Sequence, residues 1–349
     1  MTTPNTWFRR MSRLLVSLPV AFLAVATPRA EAEDAAAFYK GRTVRLVVGY
    51  GAGGGYDAYA RLLAPHLEKR LGATVVVENL PGAGGILALN QLAAGDADGL
   101  SIMLVNGEAA TLAQLLGEEG VRYDLTKMIW LGRVTTEQKA VLLSTKSPYR
   151  SLAELSSATQ TIKWGAGGKI DMLGAGAAFL SEALGLGSKI ILGYEGSKEV
   201  VLAALRGEVD CIVSSASSAK QYVEAENMIA AVVLDRERSP LLPEVPTVFE
   251  AVTLSPEATW WLDFRARVSK VGRAFIAAAG VPEDRIQYLR DAITAVLSDP
   301  AVISEGGSTG RPIEPLAAAE LRDLVGQTLE ALDEAKLAEM RHVILEKYY

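Results

Sequence analysis

The chain has 349 residues, a formal net charge of −6 and 50% hydrophobic side chains. This acidic balance argues against nucleic acid and anionic membrane surfaces as partners. Cys211 is the one cysteine, so an intramolecular disulfide is excluded, and we expect it to be a small buried apolar residue. The two histidines, His66 and His342, lie far apart in sequence and give no metal-ligand spacing. We therefore expect no metal and no cofactor.

The first 32 residues have the features of an export signal. Basic residues precede a short apolar run at 14–26, and Ala30 and Ala32 form a small-x-small cleavage site. The apolar run is too short to span a bilayer as a permanent helix. Without this segment the chain has 31 basic and 40 acidic side chains, a net charge of −9. The sequence thus predicts a periplasmic protein, exported by either the Sec or the twin-arginine route.

The first part of the remaining chain alternates short β-rich segments with helical ones. Strands are predicted at 45–48, 75–77 and 101–105, with helices at 58–71 and 86–94. This β-α-β-α-β order is typical of a parallel sheet with helices on both faces.

The same alternation begins again near residue 140. Strands are predicted at 141–144, 162–164, 190–192, 209–213 and 229–234. They are separated by a helical segment that opens at 151–155, a helix that follows the glycine turn at 165–168 and runs to residue 184, and helices near 198–205 and 219–225. Residues 260–264 are predicted to be the strand that returns to the first lobe, followed by helices near 283–297 and 316–345. We therefore predict a signal at 1–32, a first lobe at 33–139 and 258–349, and a second lobe at 140–257.

Two glycine-rich turns, at 49–55 and 81–85, each lie between a predicted strand and a predicted helix. Turns of this kind present backbone N–H groups at the positive end of a helix, where an anion binds without a charged side chain. Two such turns in succession suggest one small anion held between them. From the turns alone, that anion could be a cofactor phosphate or a substrate carboxylate.

The first turn also satisfies a dinucleotide-binding fingerprint. Gly49, Gly51 and Gly54 have the required spacing, and Glu78 could bind a ribose. An exported nucleotide-dependent oxidoreductase is therefore an alternative function. The export signal and the second glycine turn favour carboxylate binding instead, and no histidine follows the serines at 214 and 215 in the pattern of a nucleophile and its base. We accordingly expect a binding protein rather than an enzyme.

Both turns belong to a longer series of motifs. These are Leu-Val-Val-Gly-Tyr-Gly-Ala-Gly-Gly-Gly-Tyr-Asp at 46–57, Val-Glu-Asn-Leu-Pro-Gly-Ala-Gly-Gly at 77–85, Asp-Gly-Leu-Ser-Ile-Met-Leu at 98–104, Ser-Pro-Tyr-Arg-Ser-Leu-Ala-Glu-Leu at 147–155 and Leu-Pro-Glu-Val-Pro-Thr-Val at 242–248. The series resembles the periplasmic solute receptors of tripartite tricarboxylate transporters, the Bug family. The similarity extends in order over the mature chain.

This resemblance implies an α/β fold of the periplasmic binding protein class, a type II-like Venus flytrap with its ligand cleft between two lobes. Such a receptor closes on a small carboxylate and delivers it to membrane transporter subunits. The resemblance also implies a monomer with no enzymatic activity. A sensory receptor of the same fold is a second alternative that the sequence leaves open.

The resemblance further assigns the binding residues by position. The predicted substrate-binding set comprises Tyr50, Gly51, Ala52, Gly53, Gly54, Gly55, Tyr56, Gly82, Ala83, Gly84, Gly85, Gly167, Gly168, Lys169, Tyr194, Ser214 and Ser215. Tyr56, Ile86, Lys169 and Ser214 depart from the family's usual residue types, which leaves open whether the carboxylate is aliphatic, di- or tricarboxylic, or aromatic.

Two side chains near these turns have simpler structural interpretations. Asp57 is expected to be the N-cap of the first helix, since a carboxylate there would otherwise repel an anion. Lys169 is expected to pair either with a carboxylate of the ligand or with Asp171 in the same turn.

Overall fold

The computed structural model describes residues 35–136 and 138–349. The predicted export signal at 1–32 lies outside these residues. The described chain forms two mixed five-stranded sheets with helices packed on them, and this two-lobed α/β architecture confirms the predicted fold class. Across these described ranges, no helix combines the length and apolar character needed to cross a membrane.

The first sheet begins with the N-terminal part of the described chain. Its elements, in chain order, are α1 (Ala35–Tyr39), β1 (Thr43–Val48), α2 (Gly55–Leu71), β2 (Thr74–Asn79), α3 (Ile86–Ala93), β3 (Ser101–Asn106), α4 (Gly107–Leu116) and β4 (Ile129–Thr135). Strand β1 lies between β2 and β3 and pairs with both in parallel, as the sequence pattern predicts.

The chain then crosses to the second sheet. The elements of this part are β5 (Lys139–Ser144), α5 (Leu152–Ser156), β6 (Ile162–Gly165), α6 (Met172–Leu184), β7 (Ser188–Ile191), α7 (Ser197–Arg206), β8 (Cys211–Ser215), α8 (Ala216–Glu224) and β9 (Met228–Val233). The strand order is β7-β6-β8-β5-β9, and β5 pairs antiparallel with both β8 and β9. Cys211 is buried in β8, as expected, and burial raises the pKa of its thiol well above the usual value.

The last segment returns to the first sheet and then packs on both lobes. It contains α9 (Val248–Ala251), α10 (Pro256–Ser269), β10 (Arg273–Ala277), α11 (Glu283–Leu297), α12 (Pro300–Ser308), α13 (Ala318–Leu329) and α14 (Glu334–His342). Strand β10 inserts antiparallel between β3 and β4, which completes the order β2-β1-β3-β10-β4. At the C-terminus, the Tyr348 carbonyl accepts a 2.8 Å hydrogen bond from the Ile190 N–H at the edge of the second sheet.

The predicted return strand at 260–264 is wrong. These residues lie in α10, which begins at the N-cap Ser255 with Pro256 in its first turn. Within α10, Trp261 and Arg265 are buried together with Phe264 and Val268, a helical spacing of three and four residues. The aromatic residues have high strand propensity, but packing of one helical face against α6 determines the structure. The long helix predicted near 316–345 is likewise divided into α13 and α14.

Candidate ligand cleft between the lobes

The first glycine turn connects β1 to the N-terminus of α2. Gly54 is the N-cap of this helix and provides no side-chain cap, so the expectation that Asp57 would be the N-cap is wrong. Asp57 lies in the first helical turn, where its carboxylate accepts a 2.8 Å hydrogen bond from the Gly53 N–H and pairs with Arg61 at 2.9 Å. Burial opposes ionisation of Asp57, but the hydrogen bonds from Arg61 and Gly53 outweigh it and lower the pKa. The carboxylate is therefore already engaged and does not leave an unpaired negative charge in the turn.

The second glycine turn has an unusual backbone, because residues 82–85 all have positive φ angles. Ala83 has a φ of 47°, a conformation that costs an L-residue roughly 1–2 kcal/mol. The Tyr50 hydroxyl connects this turn to the first one: it donates a 2.9 Å hydrogen bond to the Gly84 carbonyl and accepts one, also of 2.9 Å, from the Asn106 side-chain amide. Tyr50 thus fixes the second turn relative to the first sheet.

Replacing Tyr50 with phenylalanine is expected to lower the free energy of unfolding by about 1–3 kcal/mol. The substitution keeps the ring but removes the hydroxyl that the Gly84 carbonyl and the buried Asn106 amide both use. Urea unfolding followed by circular dichroism measures the change. Tyr149→Phe is the matched control, because its hydroxyl makes no hydrogen bond within the described part of the chain; equal stability of the two variants would contradict this role.

A third turn comes from the second lobe, between β6 and α6. Its centre is the fully buried Asp171, whose carboxylate accepts hydrogen bonds from the N–H groups of Gly167 (2.7 Å), Gly168 (3.1 Å) and Gly174 (2.7 Å). Asp171 is also the N-cap of α6. The expected Lys169–Asp171 pair is wrong, because these backbone donors occupy the carboxylate.

Asp171 gives the turn a defined pH dependence. Burial raises the pKa of this carboxyl from 3.8 to about 6, against the opposing effect of its backbone N–H donors. A carboxyl with a higher pKa in the folded state stabilises that state most when protonated, so its contribution to stability falls as the pH rises from 3.8 to about 6. Relative to Asp171→Asn, which does not titrate, the wild type is expected to lose about 2 kcal/mol of stability between pH 4 and pH 7. Urea unfolding of both proteins across this range tests the difference, and a pH-independent difference would contradict it.

The three turns meet where the two lobes touch. The Gly51 N–H of the first lobe donates a 2.8 Å hydrogen bond to the Glu195 carbonyl of the second. Gly168 faces Gly84 so closely that a Cβ atom at position 168 would lie 2.8 Å from the Gly84 backbone nitrogen. The structure is therefore a closed arrangement of the lobes, with backbone packed directly on backbone.

Beside this contact lies a small cavity of about 20 Å³ between the lobes. The first lobe contributes Tyr50, Gly54, Gly55, Tyr56 and Arg273 to its wall, and the second contributes Met172, Leu173, Gly196, Ser197 and Ser218. Arg273 is the one charged side chain among the described residues of this wall. The N-termini of α2, α7 and α8 begin at or beside the cavity, which adds partial positive charge.

The predicted binding residues divide into three groups. Tyr50, Gly54, Gly55 and Tyr56 line the cavity, and the Ser215 hydroxyl lies 3.3 Å from that of Ser218 in the wall. A second group lies at or next to the contact between the turns: Gly51, Gly84, Gly85, Gly167 and Gly168.

The third group lies away from the cavity wall. Ala52, Gly53 and Ala83 are exposed, although the Ala83 backbone adjoins Gly168 at the contact between the turns. Ser214 is buried within β8, Gly82 packs against the Leu87 side chain and Tyr194 against Gly165. The Lys169 ammonium lies 5.4 Å from the centre of the Tyr349 ring, close to the C-terminus. Ligand binding by any of the seventeen residues stays a prediction.

Arg273 is the most important wall residue that sequence analysis missed. Its guanidinium carbon lies 4.7 Å from the centre of the Tyr56 ring and 4.6 Å from that of Tyr59, and its Nη2 donates a 3.1 Å hydrogen bond to the Ser215 hydroxyl. The available signal was a single arginine at the start of the apolar run Ala-Phe-Ile-Ala-Ala-Ala, which is an uncommon place for a charge. Its distance in sequence from the glycine turns concealed its place in the cavity wall.

Comparisons with known proteins agree with this architecture. The family model for the tripartite tricarboxylate transporter family receptor, TctC, matches residues 59–316. A UPF0065 protein of Bordetella bronchiseptica is 26% identical over 325 residues, which covers 90% of each chain. The structure of the periplasmic binding protein BugD is 26% identical with a TM-score of 0.71, covering 86% of this chain and 99% of its own.

A further solved structure shares the fold at lower sequence identity. MatC from Rhodopseudomonas palustris with bound malate is 22% identical with a TM-score of 0.70, and it also covers 86% of this chain and 99% of its own. Because the family match spans most of the described chain and includes both lobes, this protein belongs to the tripartite tricarboxylate transporter receptor family, a family of two-lobed periplasmic binding proteins.

Proposed function

We propose that this chain is a periplasmic receptor that captures a small organic carboxylate between its lobes and delivers it to a tripartite tricarboxylate-type membrane transporter. The observation that carries the proposal is the convergence of glycine turns from both lobes beside a cavity with a buried arginine in its wall. Backbone N–H groups, helix N-termini and a guanidinium together favour an anion. The malate bound to the structural neighbour MatC is a carboxylate of this kind.

Closure of the lobes provides the mechanism of capture. A ligand that contacts both walls of the cavity stabilises the closed arrangement over an open one, so binding shifts the population towards closure. The closed form brings Gly51 of the first lobe to Glu195 of the second and removes the bound anion from water. The transporter then recognises the closed receptor by its shape, and no chemical step is needed.

Calorimetric titration with a panel of mono-, di- and tricarboxylates and aromatic carboxylates tests the binding function. At least one member is expected to bind, whereas NAD and NADP are expected to cause no thermal shift. Absence of binding across the panel would refute the carboxylate assignment, and a nucleotide-induced shift would favour the oxidoreductase alternative. Native mass spectrometry of freshly purified protein is a direct complement, because a co-purified ligand adds its mass to the chain.

Delivery to a transporter needs a separate measurement. Deletion of the gene is expected to abolish uptake of the ligand identified by calorimetry, and a plasmid copy is expected to restore it. Unchanged uptake in the deletion strain would contradict a transport role and favour a sensory receptor.

A further inference from the structure

We infer that Arg273 binds the carboxylate of the ligand directly and that the ligand is a monocarboxylate with an apolar body. The inference rests on the proposed function, because it assumes that the cavity between the lobes is the ligand site. Beyond the proposed function, it names the residue that binds the ligand's carboxylate and limits the ligand to one negative charge.

Local backbone geometry directs Arg273 into the cavity. The residue starts β10, and the pairing register with β4 shifts between Arg273 and Ala274. Gly272, with a φ of 64°, approaches β4 so closely that a Cβ atom there would lie 2.2 Å from the Thr135 carbonyl oxygen. Irregularities of this kind commonly redirect a side chain next to a functional site. As a result, Arg273 is only 3% exposed yet forms part of the cavity wall.

The guanidinium group is held in place by its neighbours. The rings of Tyr56 and Tyr59 both lie within 5 Å of the guanidinium carbon of Arg273, at 4.7 and 4.6 Å. Packing of this type fixes the plane of the guanidinium before a ligand arrives. A planar fork of donors matches the two oxygens of a carboxylate better than it matches a neutral amide or alcohol.

Elements from both lobes converge on the same point. A Cβ atom at Gly55 would lie 2.8 Å from the Ser218 hydroxyl, 3.0 Å from Nη2 of Arg273 and 3.9 Å from the Ser215 hydroxyl. Gly55 has no positive φ, so the need for glycine there comes from space rather than from backbone conformation. The N-terminus of α2, the N-terminus of α8 and the guanidinium therefore surround a single locus, which suits one carboxylate group.

Apart from Arg273, the described part of the wall contains no cation that could bind a second carboxylate. Besides backbone, its described residues contribute the Tyr50 and Tyr56 rings, the Met172 and Leu173 side chains and the Ser197 and Ser218 hydroxyls. A second carboxylate placed against these groups would lose its hydration without a cation to replace it, which is costly. An apolar body would instead bury its surface there favourably. The wall thus selects a ligand with one charged end.

The test compares ligands that differ in charge but resemble one another in shape. Butyrate, benzoate, the neutral isostere benzamide and the dicarboxylate succinate are titrated calorimetrically into wild type, Arg273→Met and Arg273→Lys. Arg45→Met is the control variant, since Arg45 lies on the same sheet but forms an exposed pair with Glu78. Circular dichroism and the melting temperature establish that each variant is folded.

The wild type is expected to bind butyrate or benzoate at least about 10-fold more tightly than succinate and benzamide. Arg273→Met is expected to weaken monocarboxylate binding about 10- to 150-fold, the usual effect of losing a charge-assisted hydrogen bond, without changing benzamide binding. Arg273→Lys is expected to retain part of the preference for carboxylate over amide, and Arg45→Met all of it. A purely structural role of Arg273 would instead weaken carboxylate and amide binding equally.

Two results would overturn the inference while leaving the proposed function intact. One is wild-type monocarboxylate affinity in a folded Arg273→Met variant, or in Arg273→Lys if the methionine variant does not fold. The other is tighter binding of succinate than of both monocarboxylates by the wild type. If the wild type binds no carboxylate at all, the proposed function itself is refuted, and this inference with it.

Discussion

Gly168→Ala is expected to weaken ligand binding by about 5- to 150-fold while leaving the unliganded fold intact. In the closed structure, a Cβ atom at position 168 would lie 2.8 Å from the Gly84 nitrogen and 2.9 Å from the Ala83 carbonyl carbon. Both atoms belong to backbone of the opposite lobe, so neither can move aside cheaply. Overpacking of this kind costs roughly 1–3 kcal/mol, and here the cost applies only when the lobes close.

Calorimetry with the ligand of the wild type measures the loss, and small-angle X-ray scattering follows closure directly. The matched control is Gly187→Ala, because a Cβ atom at Gly187 would meet no atom within 4 Å. Gly168→Ala is expected to keep the melting temperature of the unliganded protein but to show a reduced ligand-induced shift. Wild-type affinity in this variant would contradict closure through the glycine turns.

The structure also separates two glycines that look equivalent in the sequence. A Cβ atom at Gly54 would make ordinary contacts of 3.5 Å or more, and its φ is unremarkable for an L-residue at −82°. Gly84 has a φ of 65°, and a Cβ atom there would lie 2.9 Å from the Asp171 Cβ of the opposite lobe. Substitution of Gly84 therefore both strains the backbone and blocks closure of the lobes. Substitution of Gly168 blocks closure without straining the backbone.

Glu108→Gln is expected to lower the free energy of unfolding by about 3–5 kcal/mol. Glu108 lies on α4 and is buried, with Lys139 of β5 at 3.6 Å and Arg265 of α10 at 3.9 Å, both of them buried as well. Burial lowers the pKa of Arg265, which reflects the cost of keeping its charge away from water. Removing the negative charge of Glu108 leaves two buried cations without the carboxylate that they share.

Urea unfolding compares this variant with Glu224→Gln, which removes the carboxylate of the exposed Lys220–Glu224 pair. An exposed ion pair contributes about 0–1 kcal/mol, so the control is expected to remain close to the wild type. The three buried residues join α4 to β5 and α10 near the point where the chain passes between sheets. Equal stabilities of the two variants would refute the importance of this junction.

Local patterns in the sequence were sufficient for many of the elements. Strands β1 to β3 were predicted to within two residues at each end, and α11 was predicted at its observed bounds, because alternation and helical periodicity are short-range properties. The two glycine turns and the relationship to the family also follow from contiguous residues. Strand β4 was missed although its isoleucine, tryptophan, valine and threonine favour a strand.

The composition of the cavity wall could not be predicted in the same way. Arg273 meets Gly55 and Ser215 only because β10 returns to the first sheet and the lobes close, and these residues are far apart in the chain. Lys169 was placed in the site by its position in a turn, but the nearby C-terminal Tyr349 lies beside its ammonium group. Positional resemblance identifies a loop, while the direction of each side chain depends on what packs against it.

The same distinction between short-range patterns and long-range contacts applies to the whole protein. Glycine spacing, strand and helix periodicity and the ordered motifs establish a two-lobed receptor, since each depends on interactions within a few residues. Which side chains line the cavity, which carboxylates are already engaged and where the lobes touch depend on contacts such as Gly84 with Gly168 and Tyr56 with Arg273. Such contacts join segments distant in sequence, and their energies arise only when folding brings those segments together and excludes water from between them.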